Sequence, residues 1–276
     1  MDGFYELAQL TRRQRIRIRS YIHLAVILLI AVGIIVGSVL LARRIIGSAG
    51  GGKDVRVSGA YETAEEETAA ETPVPTTAPV PMPPLPEVDT SSWELRYVSS
   101  KEHLPSDYEP ELMEIENNQY FDARAGMHLQ KLIEDARAAG YSVFVCSGYR
   151  SYDTQHLIYW NHVTQYESEG MTREEAEAAT LLEVNYPGGS EHQLGLAADI
   201  LEFQGQEMEP WIGGSGLMLW LEEHCADYGF VVRYPEGKTD ITGVEYEPWH
   251  LRFVGSCARY LTENDLCLEE FLALYQ

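Results

Sequence analysis

From Trp93 onward the apolar positions follow two different periods. Leu129, Leu132, Ile133 and Ala136 recur at three- and four-residue intervals, the stripe of an amphipathic helix, and Gly140 suits its C-cap. The run YSVFVC over residues 141–146 predicts a buried strand, with Ser147-Gly148-Tyr149-Arg150 as the turn that leaves it. A second helix is expected to start near Ser151 and to carry Gln155 one turn in. Thr172 and Glu175 have the spacing of a capping box, which opens a third helix. Leu217, Trp220, Leu221 and Cys225 mark a fourth, FVVRY (230–234) and LRFV (251–254) read as strands, and residues 256–275 as a closing helical segment. Helices and short strands alternate without a regular βαβ repeat. The expected fold is therefore α+β, a small antiparallel sheet with surrounding helices.

Upstream the pattern changes twice. Tyr21 to Ala42 contains no Asp, Glu, Lys or Arg, and 22 residues at about 1.5 Å each reach about 33 Å, enough for the hydrocarbon core of a bilayer. Arg12, Arg13, Arg15, Arg17 and Arg19 outnumber Arg43 and Arg44 on the other side, which puts the N-terminus in the cytoplasm. A cleaved signal peptide is the competing reading, but the apolar run is long and lacks a small-x-small site at its end. Residues 43–92 are rich in Gly, Pro, Thr and Glu and cannot bury enough apolar area to order themselves. They are expected to form a tether reaching between about 40 Å and roughly 140 Å. The organisation read from the chain is a basic cytoplasmic segment (1–20), a single-pass membrane anchor (21–42), a disordered linker (43–92) and an extracytoplasmic domain (93–276).

A formal charge of −23 argues against nucleic acid, whose phosphates need a basic surface. Cys146, Cys225, Cys257 and Cys267 form no CxxC pair. Cys146 and Cys225 fall on apolar stripes and read as core residues, while a Cys257–Cys267 disulfide is a minor alternative outside the cytoplasm.

The chemistry concentrates in two places. GGSEHQLGLAADI (188–200) sets His192 seven residues ahead of Asp199 among small residues, and Glu247-Pro248-Trp249-His250 supplies a second imidazole and a second carboxylate. Two His and one Asp match the three protein ligands of a catalytic zinc ion, whose fourth position stays open. Glu247 is left over, and a free carboxylate beside such an ion can take a proton from water. Trp249 is expected either to pack beside the metal or to serve as core. His103, His128, His156, His162 and His224 lack such company and are set aside as surface or core residues.

The motifs SGYRSYDTQ (147–155), PGGSEHQLGLAADI (187–200), YGFVVRYPEGK (228–238) and EYEPWHLRFVG (245–255) resemble those of the VanY-type D-alanyl-D-alanine carboxypeptidases, in the zinc peptidase family that also includes the VanX dipeptidases. The resemblance covers most of residues 93–265. It implies zinc held by His192, Asp199 and His250 with Glu247 as base, the same four residues as above. It further implies that Arg150 holds the scissile carbonyl oxygen, a structural ion-pair role being the lesser alternative, and that Gln155 and Ser190 help to grip the substrate's terminal carboxylate. The function it implies is removal of the C-terminal D-alanine from peptidoglycan stem peptides. The alternatives are an L,D-carboxypeptidase or wall endopeptidase on the same fold, and a zinc-containing module that binds wall peptides without cutting them.

Overall fold

The computed structural model describes residues 83–276. The expected anchor and nearly all of the linker lie outside the described residues; among the described residues no helix is long and apolar enough to cross a membrane.

A hairpin comes first, β1 (Leu112–Glu116) and β2 (Gln119–Asp122), paired antiparallel. Its turn residues Asn117 and Asn118 have φ of 54° and 59°, the left-handed pair that a two-residue hairpin needs and that Asn tolerates. Sequence periodicity had left this segment unassigned. Next come α1 (Gly126–Ala138), β3 (Phe144–Ser147), α2 (Tyr152–Ser168) and α3 (Arg173–Leu181). Ser151 caps α2 by accepting from Thr154 N at 3.2 Å, and the Thr172–Glu175 box closes the start of α3. After a long turn follow β4 (Ala197–Leu201), α4 (Gly216–His224), β5 (Phe230–Tyr234), the single turn α5 (Thr239–Thr242), β6 (Glu247–Phe253), α6 (Ala258–Glu263) and α7 (Leu268–Ala273).

Three expectations need correction, and one minor alternative falls away. The strand predicted at 141–146 begins only at Phe144, because Tyr141 and Val143 are used to turn the chain off α1, where Tyr141 N bonds to Ala136 O. The strand predicted at 251–254 begins four residues earlier, so the Glu-Pro-Trp-His motif is itself strand. The C-terminal helical segment is broken in two, with Asp265 at φ 55° between the pieces. The cysteines are free thiols; no Cys257–Cys267 bridge forms.

Strands β3-β4-β6-β5 make one antiparallel sheet. Alternation along each strand sorts its side chains onto two faces. Ala198, Ile200, Leu251, Phe253, Phe230 and Val232 join Leu129, Leu132 and Ile133 of α1 and Leu217 and Leu221 of α4 in the main core. The intervening positions carry Asp199, His250, Arg252 and Arg233, all buried. One face is therefore oil and the other is charge.

A smaller core under α6 and α7 takes Val231, Leu261 and Phe271. Helices α2 and α3 pair around Tyr159, Val163 and Ala176 and stand over the charged face.

Candidate active site

Sheet register does the first part of the assembly. Asp199 on β4 is the direct partner of His250 on β6, so their side chains leave the same face next to one another. Glu247 precedes His250 by three residues and in a regular strand would face the other way. Between the pairs Val232↔Leu251 and Tyr234↔Glu247, however, β5 advances two residues while β6 advances four. The slack in β6 is a bulge, which re-aims side chains, and Pro248 sits within it, where a missing N–H is tolerated in a central strand. Glu247 Oε2 consequently lies 3.4 Å from His250 Nδ1.

His192 comes from the turn ahead of β4. Its Nδ1 lies 2.7 Å from Gly148 O, in the turn after β3. Gly148 is required there, because a Cβ would collide with the carbonyl oxygen of Tyr120 on β2. Gly195 closes the turn with φ +71° and gives its carbonyl to Asp122 N at 2.9 Å. Two short backbone approaches thus place one imidazole.

The result is a cluster in which a ligand atom from each of His192, Asp199 and His250 lies within 4.8 Å of the others, all buried. Asp199 stands between the rings, Oδ2 3.3 Å from His192 Nε2 and Oδ1 3.2 Å from His250 Nδ1. Charge-assisted hydrogen bonds are shorter, about 2.7–2.9 Å, and His192 Nε2 and Asp199 Oδ1 have no hydrogen-bond partner. Buried polar atoms are rarely left so. These two orphaned atoms, with His250 Nδ1 beside them, make a His2Asp set gathered around a common centre, which fits a divalent cation and zinc in particular.

Electrostatics agree. Burial and the nearby Arg150 cation push His192 down to about 4, so its ring is neutral and offers a lone pair. Burial opposes ionisation of Asp199, but the two imidazoles outweigh it and hold its carboxyl well below the usual range. For His250 burial is likewise overcome, by Asp199 and Glu191, and the ring rises to about 9. Burial lifts Glu247 to about 8, against the opposing pull of His250. A cation seated among these groups favours the ionised carboxylate and the neutral ring.

The cluster forms the floor of a cleft of about 310 Å³. Ile158 and His162 of α2 and Leu182–Asn185 beyond α3 make one wall, Met208–Pro210 and Val244–Tyr246 another. Arg150, Ser190, Tyr234 and Trp249 also line it. Arg150 is partly buried and its Nε has no partner; burial lowers its pKa, against the charges that favour its cation, first Asp199, then Glu247. Trp249 joins the main core, one of the two roles expected of it, and also lines the cleft. Gln155 is brought near but not in: it is fully buried, does not line the cleft, and donates through Nε2 to Asn185 O at 2.7 Å. Asn185 does line it, with Nδ2 3.4 Å from the Tyr234 hydroxyl.

Sequence reasoning passed over several residues. His162, set aside as a lone histidine, lies in the cleft wall 3.7 Å from Glu183. Glu191, Arg233 and Arg252 form a buried ionic cluster behind His250. A signal was present, since an arginine inside an otherwise apolar strand (FVVRY, LRFV) must have a buried partner.

The sequence profile of the VanY family, described as D-alanyl-D-alanine carboxypeptidase, matches residues 118–256. A D-alanyl-D-alanine carboxypeptidase of Enterococcus faecalis is 40% identical over 185 residues, 67% of each chain. A crystal structure of the vancomycin resistance D,D-pentapeptidase VanY, a single-site mutant in complex with Zn(II), superposes with a TM-score of 0.59 at 40% identity, covering 66% of this chain and 99% of that one. VanYB in complex with D-Alanine-D-Alanine gives 0.61 at 39% identity, covering 67% and 100%.

Proposed function

This chain belongs to the VanY family of D-alanyl-D-alanine carboxypeptidases, and on that footing we propose that it is a zinc-dependent D,D-carboxypeptidase that removes the terminal D-alanine from peptidoglycan stem peptides. The observation that carries the assignment is the convergence of His192, Asp199 and His250 with Glu247 beside them on the floor of one cleft. His192, Asp199 and His250 would hold the metal, the imidazoles through Nε2 of His192 and Nδ1 of His250, the nitrogens turned toward Asp199. Its contribution when bound is Lewis acidity, which makes water a nucleophile near neutral pH and polarises the scissile carbonyl.

The remaining steps belong to side chains. Glu247 takes a proton from the attacking water on its carboxylate and returns it to the amine nitrogen of the departing D-alanine, the two halves of general acid–base catalysis. Arg150 faces the negative charge that develops on the carbonyl oxygen, where a fixed cation in a dry site is most effective. Ser190 is offered to the substrate's terminal carboxylate. Gln155, its amide donor spent on Asn185 O, acts indirectly by holding the cleft wall in place. A module that only bound wall peptides would require neither Glu247 nor Arg150.

We place the domain outside the cell membrane. Its anchor is the apolar run 21–42, oriented by the five preceding arginines, and its tether the Pro-rich segment to residue 92.

Mass spectrometry of muropeptides incubated with the protein tests the assignment. Pentapeptide stems should lose one D-alanine, tetrapeptide and cross-linked stems should persist, and a chelator should stop the reaction until zinc is restored. Cleavage of tetrapeptides alone would make it an L,D-carboxypeptidase, and cleavage of none a binding module.

A further inference from the structure

Behind the cleft lies a set of charges that catalysis as described does not use. Glu191, adjacent in sequence to His192, points the other way and is fully buried. Its Oε1 accepts from Arg233 Nε at 2.7 Å and is ion-paired with Arg252 Nη1 at 2.8 Å. Arg233 is forked onto Glu269 of α7 through Nη1 at 2.9 Å and Nη2 at 2.6 Å. Arg252 spends Nη2 on the carbonyls of Glu94 and Arg96, at 3.0 and 2.9 Å, and Nε on Phe253 O. Neither guanidinium can turn without breaking several bonds, so Glu191 has one available orientation.

That orientation leaves Glu191 Oε2 facing His250 Nε2 at 3.6 Å, and these two buried atoms have no hydrogen-bond partner elsewhere. The other ring nitrogen, Nδ1, is the one turned toward Asp199 and Glu247. A neutral imidazole has one N–H and one lone pair, and the hydrogen bond at one nitrogen decides which is which. His192 solves the same problem with a backbone carbonyl, Gly148 O at its Nδ1. The two rings thus present opposite nitrogens to the centre.

We propose that Glu191 is a positioning residue for the metal centre: held rigid by Arg233 and Arg252, it accepts the Nε2–H of His250 and so commits Nδ1 to the metal. This rests on the ligand set given above, and it extends that set to a clamp reaching α7 and the segment before β1. Outer-sphere partners of this kind change metal affinity by about 10- to 100-fold when removed.

The test is zinc affinity, measured by competition with a chromogenic chelator on the full chain in detergent, for wild type and Glu191→Gln. The expected result is a 10- to 100-fold weaker zinc site in the variant, with turnover at saturating zinc recovering to within a few-fold of wild type. A merely structural role would lower the melting temperature of the metal-free protein without moving the zinc half-saturation point, and that outcome would overturn the proposal. Glu191→Gln removes the anion shared by Arg233 and Arg252, so a second measurement, independent of how the variant folds, uses wild type. Nitrogen-15 spectra of the histidines in the zinc-loaded protein should show His250 bound through Nδ1 with a slowly exchanging Nε2 proton. Binding through Nε2, or a fast-exchanging proton there, also overturns it. Should His192→Ala retain stoichiometric zinc, the ligand set itself is wrong; should it lose zinc while Glu191→Gln keeps wild-type affinity, only the role of Glu191 fails.

Discussion

Glu247 and His250 are three residues apart in a strand and still meet, because the bulge in β6 brings them to one side. Two neighbouring residues can therefore have separable jobs. Glu247→Ala should leave zinc content and melting behaviour close to wild type, since the three ligand atoms come from other side chains, while kcat/KM on a pentapeptide falls by about 10²- to 10⁴-fold. Metal analysis beside steady-state kinetics checks both halves, and near-wild-type turnover would remove Glu247 from the reaction. Glycine matters at the same scale. Gly148 allows β2 to pass close enough for its own carbonyl to reach His192, a requirement that no side-chain pattern announces.

Among the elements, β6 carries the most. It pairs with β4 on one side and β5 on the other, and it presents His250 and Arg252 to the charged face while Leu251 and Phe253 face the core. A slip of one residue would exchange those faces, so apolar burial is what keeps Asp199 opposite His250. Leu251 is fully buried at the centre of this arrangement. Leu251→Ala should cost about 2–5 kcal/mol in urea unfolding yet leave zinc affinity in the folded fraction nearly unchanged. A loss below about 1 kcal/mol would mean that something other than the apolar face holds the register. Periodicity identified α1 and α4 by their apolar stripes and β5 by its β-rich run, while α2 and α3 were marked by their N-terminal residues, Ser151 and the Thr172–Glu175 box. Strand β4 was missed because AADIL is buried on both faces and so has no alternation to detect.

For the molecule as a whole, protein contacts alone tie the cluster together: Asp199 lies between two imidazoles and the ionic clamp stands behind them. Removing zinc should therefore abolish turnover without unfolding the domain. Conversely, a ligand that binds only the folded state stabilises it by about 2.7 kcal/mol at 100 times its Kd, roughly 5–10 °C for a domain of this size. Thermal melts with and without zinc should show that rise in wild type and none in His192→Ala. An equal rise in the variant would place the zinc elsewhere.

What the amino-acid sequence determined alone was the donor inventory and the local elements. His192, Asp199, Glu247 and His250 are conspicuous because chemistry-bearing residues stand among small or apolar ones, and helices declare themselves through a period set by backbone geometry. Long-range facts had no such local signature. The opposition of Asp199 and His250, the bulge that turns Glu247 inward, the diversion of Gln155 to Asn185 and the joining of Glu191 to Arg233, Arg252 and Glu269 each depend on which strand lies beside which. Pairing between segments remote in sequence is decided by burial of the whole core at once, so it is fixed only when the chain has folded.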